Sequence, residues 1–169
     1  MTRRDHIIQW LSYTIALLLV LGLERLVLSR FTVWDVIPVL LPIALAACST
    51  LEGPKFGAAF GILVGILMSV SAGGGFWRIV ICSAAGLLCG LITRYGLPQS
   101  FTGHLACSTL VMFLRMIWCV GTRLINGTAN FSLLLRIGFP EFLWSLVFTF
   151  PIYLLFLFVC RHWGRIYFE

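Results

Sequence analysis

Charge is what this chain has least of. Asp, Glu, Lys and Arg make up 11% of its 169 residues, and only six are acidic, whereas an ordinary soluble domain carries roughly 25% charged residues. With 60% of the residues hydrophobic, a sphere of this size has no interior large enough for the surplus, so a freely soluble globular fold is excluded. Chemical motifs are missing as well. The chain has no H-E-x-x-H, no G-x-S-x-G, no paired aspartates and no C-x-x-C, so the common signatures of metal, serine and redox chemistry do not occur. The one Gly-rich run, Ser71-Ala72-Gly73-Gly74-Gly75, lacks the Lys and Ser/Thr of a phosphate loop. Of three histidines, His6 and His162 flank apolar runs, and His104 begins one without a carboxylate or cysteine cluster beside it. The expectation is a chain without catalysis, cofactor or metal.

What is present is apolar sequence in lengths that suit a bilayer. About 20 mainly apolar residues cross a hydrocarbon core of about 30 Å, and the runs here fall at 7–28, 34–51, 56–72, 76–94, 102–123 and 141–160. The expected fold is all-α, a polytopic integral membrane bundle of about six transmembrane helices in a single transmembrane domain over 1–169. Five crossings are the alternative, because Pro38 and Pro42 interrupt a short second run and would allow it to be re-entrant. The first run is too long for a signal peptide and no small-x-small site follows it, so it is expected to be a retained helix. The piece Phe131–Ile137 is too brief to span and is expected along the interface, with Pro140 and Glu141 in the first turn of the last helix.

The net charge of +6 does not point to nucleic acid, since the basic residues stand singly at the ends of apolar runs, where they anchor at lipid headgroups. Arg3, Arg4, Lys55, Arg94, Arg161 and Arg165 fall on the side of both termini; Arg30, Arg78, Arg123 and Arg136, with Arg25 if it reaches outward, fall on the other. That bias favours cytoplasmic termini. Cys48, Cys82, Cys89, Cys107, Cys119 and Cys160 all lie in apolar runs and read as small buried hydrophobes.

Two features go beyond lipid solubility. Gly57, Gly61, Gly65, Ser69 and Gly73 recur every four residues, and Gly86 and Gly90 form a shorter stripe. Four-residue spacing lines up small side chains on one helix face, either to dock a partner or to pack the third helix against the fourth. Intramembrane charge is the other feature. Arg115 sits near the middle of the fifth run, where a charge costs at least roughly 2.5–3.5 kcal/mol unless it faces protein or water. Glu24 is its expected partner by depth; Arg25 or Glu141 compete, and a snorkelling Arg115 is the simplest alternative.

The run Phe56-Gly57-Ala58-Ala59-Phe60-Gly61-Ile62-Leu63-Val64-Gly65-Ile66-Leu67-Met68-Ser69 and the later Ala85-Gly86-Leu87-Leu88-Cys89-Gly90 resemble the central stretch of the rod shape-determining MreD family. Ile37-Pro38, the last helix from Phe139-Pro140-Glu141-Phe142 and the basic tail with Arg161 and Arg165 extend the similarity over most of the chain. The family often has Asp where this chain has Val39 and Ser69, so no polar residue is carried over. The resemblance implies a non-catalytic subunit of the bacterial cell-elongation complex in the cytoplasmic membrane. Its partners would be an MreC-like protein and, through it, the actin-like MreB filament and the peptidoglycan synthases. The rival class is a substrate-binding subunit of an energy-coupling-factor vitamin transporter. That reading would have small residues of the first helix dock on a coupling subunit, for which Ser12 and Ala16 alone have the spacing, and would line an outer cavity with Trp118, Arg115, Glu24 and Asn126.

Overall fold

A computed structural model of the chain describes residues 3–30, 38–72, 75–96, 100–125 and 131–163, and among them every regular element is a helix. Helix α1 (Arg3–Gly22) continues through one π-helical turn, Leu23–Val27, and a 3-10 turn, Leu28–Arg30. Gln9, Tyr13, Ala16, Leu17, Val20 and Glu24 are buried along it, while Ile7, Leu11, Ile15, Leu18 and Leu19 are exposed. Spacings of three and four place the first set on one face, so the polar Gln9, Tyr13 and Glu24 belong to the inward stripe.

Helix α2 (Leu41–Glu52) is the centre of the bundle, with every residue from Leu41 to Leu51 buried. Its 12 residues reach about 18 Å, short of the roughly 30 Å of a hydrocarbon core. The expected second run over 34–51 is corrected accordingly. The helix starts only after Pro38, with Pro42 in its first turn, where a missing N–H forfeits no helical bond; residues 34–37 lie outside the described ones. A single residue, Gly53, joins α2 to α3. Its φ of 91° falls where a side chain is strained, and its N–H bonds the Ser49 carbonyl at 3.1 Å while its own carbonyl takes the Gly57 N–H at 2.9 Å.

Helices α3 (Pro54–Ala72) and α4 (Trp77–Tyr95) form an antiparallel hairpin, followed by α5 (Phe101–Ile125), α6 (Phe131–Val147) and α7 (Thr149–Trp163). Pro140 does not open the last helix as expected. It lies inside α6, which already begins at Phe131, because apolar sequence on both sides supports one helix and a proline deletes a bond without ending it. The break comes later, at Phe148, whose N–H bonds Ser145 three residues back at 3.1 Å, and Gly138–Val147 and Thr149–His162 meet there at 45°.

Among the described residues three helices are long and apolar enough to cross a membrane, Ile7–Leu26, Trp77–Tyr95 and Phe101–Thr122, and the bent pair makes a fourth if it counts as one span. Helix α2 and the apolar part of α3, Pro54–Val70, are shorter. An aromatic cluster fills the middle: Tyr13 and Phe60 stand 6.0 Å and 6.1 Å from Phe156, and Trp10 stacks at 4.2 Å on Phe56. Such pairs add about 0.5–1.5 kcal/mol each to the burial of their rings, and they join α1, α3 and α7 around α2.

Candidate functional site

The glycine stripe faces α4. A Cβ at Gly57 would stand 2.6 Å from Ser49 Oγ and 2.7 Å from the Gly86 carbonyl oxygen; at Gly61, 2.5 Å from the Cys82 oxygen; at Gly65, 2.6 Å from Ile79 Cα. Gly86 and Gly90 of the shorter stripe meet Gly57 and Pro54 in the same way. Two backbones are therefore in contact over several turns, the arrangement that small residues permit in membrane helices. Ser83 Oγ adds a hydrogen bond to the Ala58 carbonyl at 3.1 Å, and Arg78 Nη1 donates to the Met68 carbonyl at 3.3 Å near the end of α3, where a cation complements the helix dipole. Ser69 prolongs the stripe with its hydroxyl oxygen buried; Gly73 lies outside the described residues. Gly57, Gly61, Gly65, Gly86 and Gly90 are consequently covered by this chain's own helices rather than offered to a partner.

Glu24 and Arg115 are not bonded to each other, which corrects the expected pairing. Glu24 is 7% exposed, and its carboxylate accepts the backbone N–H of Leu40 at 2.8 Å and of Leu41 at 3.3 Å. Nearby, the Val39 N–H donates to Ser145 Oγ at 3.0 Å. The first N–H groups of a helix have no intrahelical acceptor, and α2 has no local capping side chain; α1 and α6 supply the acceptors instead. Glu24 reaches them from the π-turn, where the Leu28 N–H bonds Leu23 O five residues back, and a wider turn changes the direction in which a side chain leaves the helix. A carboxylate at this end of α2 also meets the positive pole of the helix dipole. Depth alone favoured Arg115 as partner; a buried carboxylate is equally satisfied by backbone donors, and these are closer.

Arg115 bonds Glu141 across α5 and α6, with side-chain exposures of 32% and 21%. A Cβ at Gly138 would touch Met116 at 3.4 Å, so the two helices run antiparallel at this level. Reversing either charge alone is expected to cost about 1–3 kcal/mol, below the roughly 3–5 of a fully buried pair because both groups retain some exposure. Thermal unfolding in detergent checks this: the swap Arg115→Glu with Glu141→Arg should recover most of the loss, and the corresponding swap with Glu24 should not.

The other end of α2 is held by residues that sequence reasoning passed over. Glu52 Oε2 accepts from Gln9 Nε2 at 2.8 Å, and its Oε1 accepts from Tyr13 Oη at 2.7 Å and from Cys160 Sγ at 3.7 Å. Gln9 and Tyr13, four apart in an apolar helix, are the signal in the sequence that a polar partner lies on that face. Tyr13→Phe removes one charge-assisted donor and is expected to lower stability by about 1.5–3 kcal/mol; an unchanged unfolding midpoint would show that the bond contributes nothing.

The remaining expected positions are spread out. Cys48, Cys89, Cys107 and Cys160 are buried, Cys82 and Cys119 are half-buried, and all six are free thiols. Ala16 is 2% exposed and faces the core, so it does not form a lateral docking pair with Ser12. Trp118 is 48% exposed, and Asn126 lies outside the described residues. Comparison of the chain with known protein families, with characterised proteins and with solved structures finds no match.

Proposed function

We propose that the chain is a non-catalytic assembly subunit of the bacterial cell-elongation complex, lying in the cytoplasmic membrane with both termini inside. In this reading α1, α3, α4, α5 and the bent α6–α7 pair each cross the membrane. Helix α2, too short to cross as a helix and shielded from lipid by those five, completes a sixth pass together with the non-helical residues 38–40 that precede it. One observation carries the proposal: Glu24, Glu52, Arg115 and Glu141 are each committed to bonds within the bundle, while the flanks of α1 and α5 turn apolar side chains such as Leu11, Leu18, Phe113 and Ile117 outward. A membrane partner meets such flanks by lateral packing. The resemblance of the α3–α4 segment to the MreD family supplies the partner class, an MreC-like protein that links the subunit to the MreB filament and the peptidoglycan synthases.

Depletion of the protein in its host, followed by microscopy, tests the reading. Cells should round up, and an MreC-like protein should be recovered with the purified subunit. Unchanged cell shape together with a stoichiometric vitamin in the purified protein would overturn the assembly role in favour of substrate binding for a transporter.

A further inference from the structure

The end of the bundle at which α2 finishes gathers three cations that no described carboxylate answers. A Cβ at Gly90 would stand 2.4 Å from Pro54 Cα, so the last turn of α4, with Arg94 and Tyr95, adjoins the first turn of α3, with Lys55. Helix α7 ends at the same level. Cys160 Sγ bonds Glu52, and Phe60 meets Phe156 at 6.1 Å; Lys55 and Arg161 each lie five residues beyond that ring pair toward this end, about 7.5 Å of helix. All three cations are exposed, and none has an ion-pair partner among the described residues. Of the carboxylates with described side chains, Glu24, Glu52 and Glu141, only Glu52 is at this end, and Gln9, Tyr13 and Cys160 hold it inside the bundle.

Helix electrostatics accounts for only part of this arrangement. Arg94 and Arg161 stand in the last turns of α4 and α7, where a cation offsets the negative pole of the helix dipole. Lys55 stands in the first turn of α3, at the positive pole, where a cation is disfavoured. No described side chain compensates it. Tyr95 identifies the medium outside: it is 79% exposed, with the Arg94 guanidinium 5.7 Å from its ring centroid, and an exposed tyrosine at the end of an apolar helix belongs in the headgroup layer. We propose that this end of the bundle docks on acidic phospholipids, whose net negative headgroups supply the anions that Lys55, Arg94 and Arg161 lack. The proposal rests on the membrane location and not on the identity of the assembly partner.

Spin-labelled lipids, added in trace amount to the whole chain reconstituted in phosphatidylcholine vesicles, test this through the fraction whose motion the protein restricts. Phosphatidylglycerol should associate about fivefold or more above phosphatidylcholine at low ionic strength, since one cation near a membrane surface contributes about that factor. Salt at about 0.5 M should bring the ratio toward one. The triple variant Lys55→Gln, Arg94→Gln, Arg161→Gln should abolish the preference, whereas Arg78→Gln, at the opposite end of α4, should keep it. Equal association of the two lipids with the wild-type protein would overturn the proposal whether or not the variants fold, and would leave the patch to an acidic protein segment. A preference that the triple variant retains, or that Arg78→Gln removes, would overturn it as well, because the charge responsible would then lie elsewhere.

Discussion

Gly61→Leu is expected to leave little folded protein, with a loss in stability of about 3 kcal/mol or more. The first added atom already fails to fit, since a Cβ at Gly61 would lie 2.5 Å from the Cys82 carbonyl oxygen and 2.7 Å from Ser83 Cα. Both are backbone atoms of α4, so no rotamer change removes the clash and the helices must separate. Separation lengthens the Ser83–Ala58 hydrogen bond of 3.1 Å and opens the contacts at Gly57 and Gly65 together, because all three lie on one seam. Gly61→Ala should therefore be damaging as well, although alanine is the better helix former by about 0.5–1 kcal/mol. Gly22 and Gly121 serve as controls. Nothing lies within 4 Å of a Cβ at either, so Gly22→Ala and Gly121→Ala should be neutral or slightly stabilising. Folded yield and unfolding midpoint in detergent measure all four. Equal behaviour of Gly61→Ala and Gly121→Ala would show that the seam tolerates a methyl group and that its close approach is not required.

The seam was legible in the sequence because a four-residue repeat of small side chains has one geometric consequence, a flat helix face. What the repeat does not encode is the identity of the opposing surface, and only the antiparallel register of Gly57 on Gly86 and Gly61 on Cys82 and Ser83 assigns it to α4. The ends of α3, α4 and α5 were readable to within two residues for a similar reason, since apolar runs end where charges and turn formers begin. Helix α2 was not readable in this way. Hydropathy reports preference for a nonpolar medium, and a helix buried in protein scores like one buried in lipid; length alone betrayed it, and the prolines hid where it began. The polar contacts were the least accessible. Glu24 and Glu52 find partners at separations of 16 and 43 residues, and depth along a helix restricts such partners without choosing among them. Arg115 illustrates this: Glu24 and Glu141 were both within its expected reach, and the choice depended on the π-turn that directs Glu24 toward α2.

Glu24→Ala is the second substitution expected to have a large effect, about 3–5 kcal/mol, which is a major share of the roughly 5–15 kcal/mol that a folded domain possesses. The carboxylate accepts two backbone N–H groups, at 2.8 Å from Leu40 and 3.3 Å from Leu41. Each buried donor left without an acceptor costs about 1–3 kcal/mol, and no water from the bilayer core can replace it. Glu24→Gln keeps a carbonyl oxygen of the same reach and should lose distinctly less than Glu24→Ala. Hydrogen exchange locates the effect: the Leu40 and Leu41 amides should exchange faster in Glu24→Ala, while amides near Glu52 at the far end of α2 should change only with global stability. Arg115 provides the decisive comparison. Removal of an Arg115 whose bond goes to Glu141 leaves the Leu40 and Leu41 N–H groups satisfied, so the losses of Arg115→Gln and Glu24→Ala should add, less the through-space attraction between the two charges. A double variant no worse than Glu24→Ala alone would mean that the two residues act as a pair after all, and that the start of α2 is held by something other than the carboxylate.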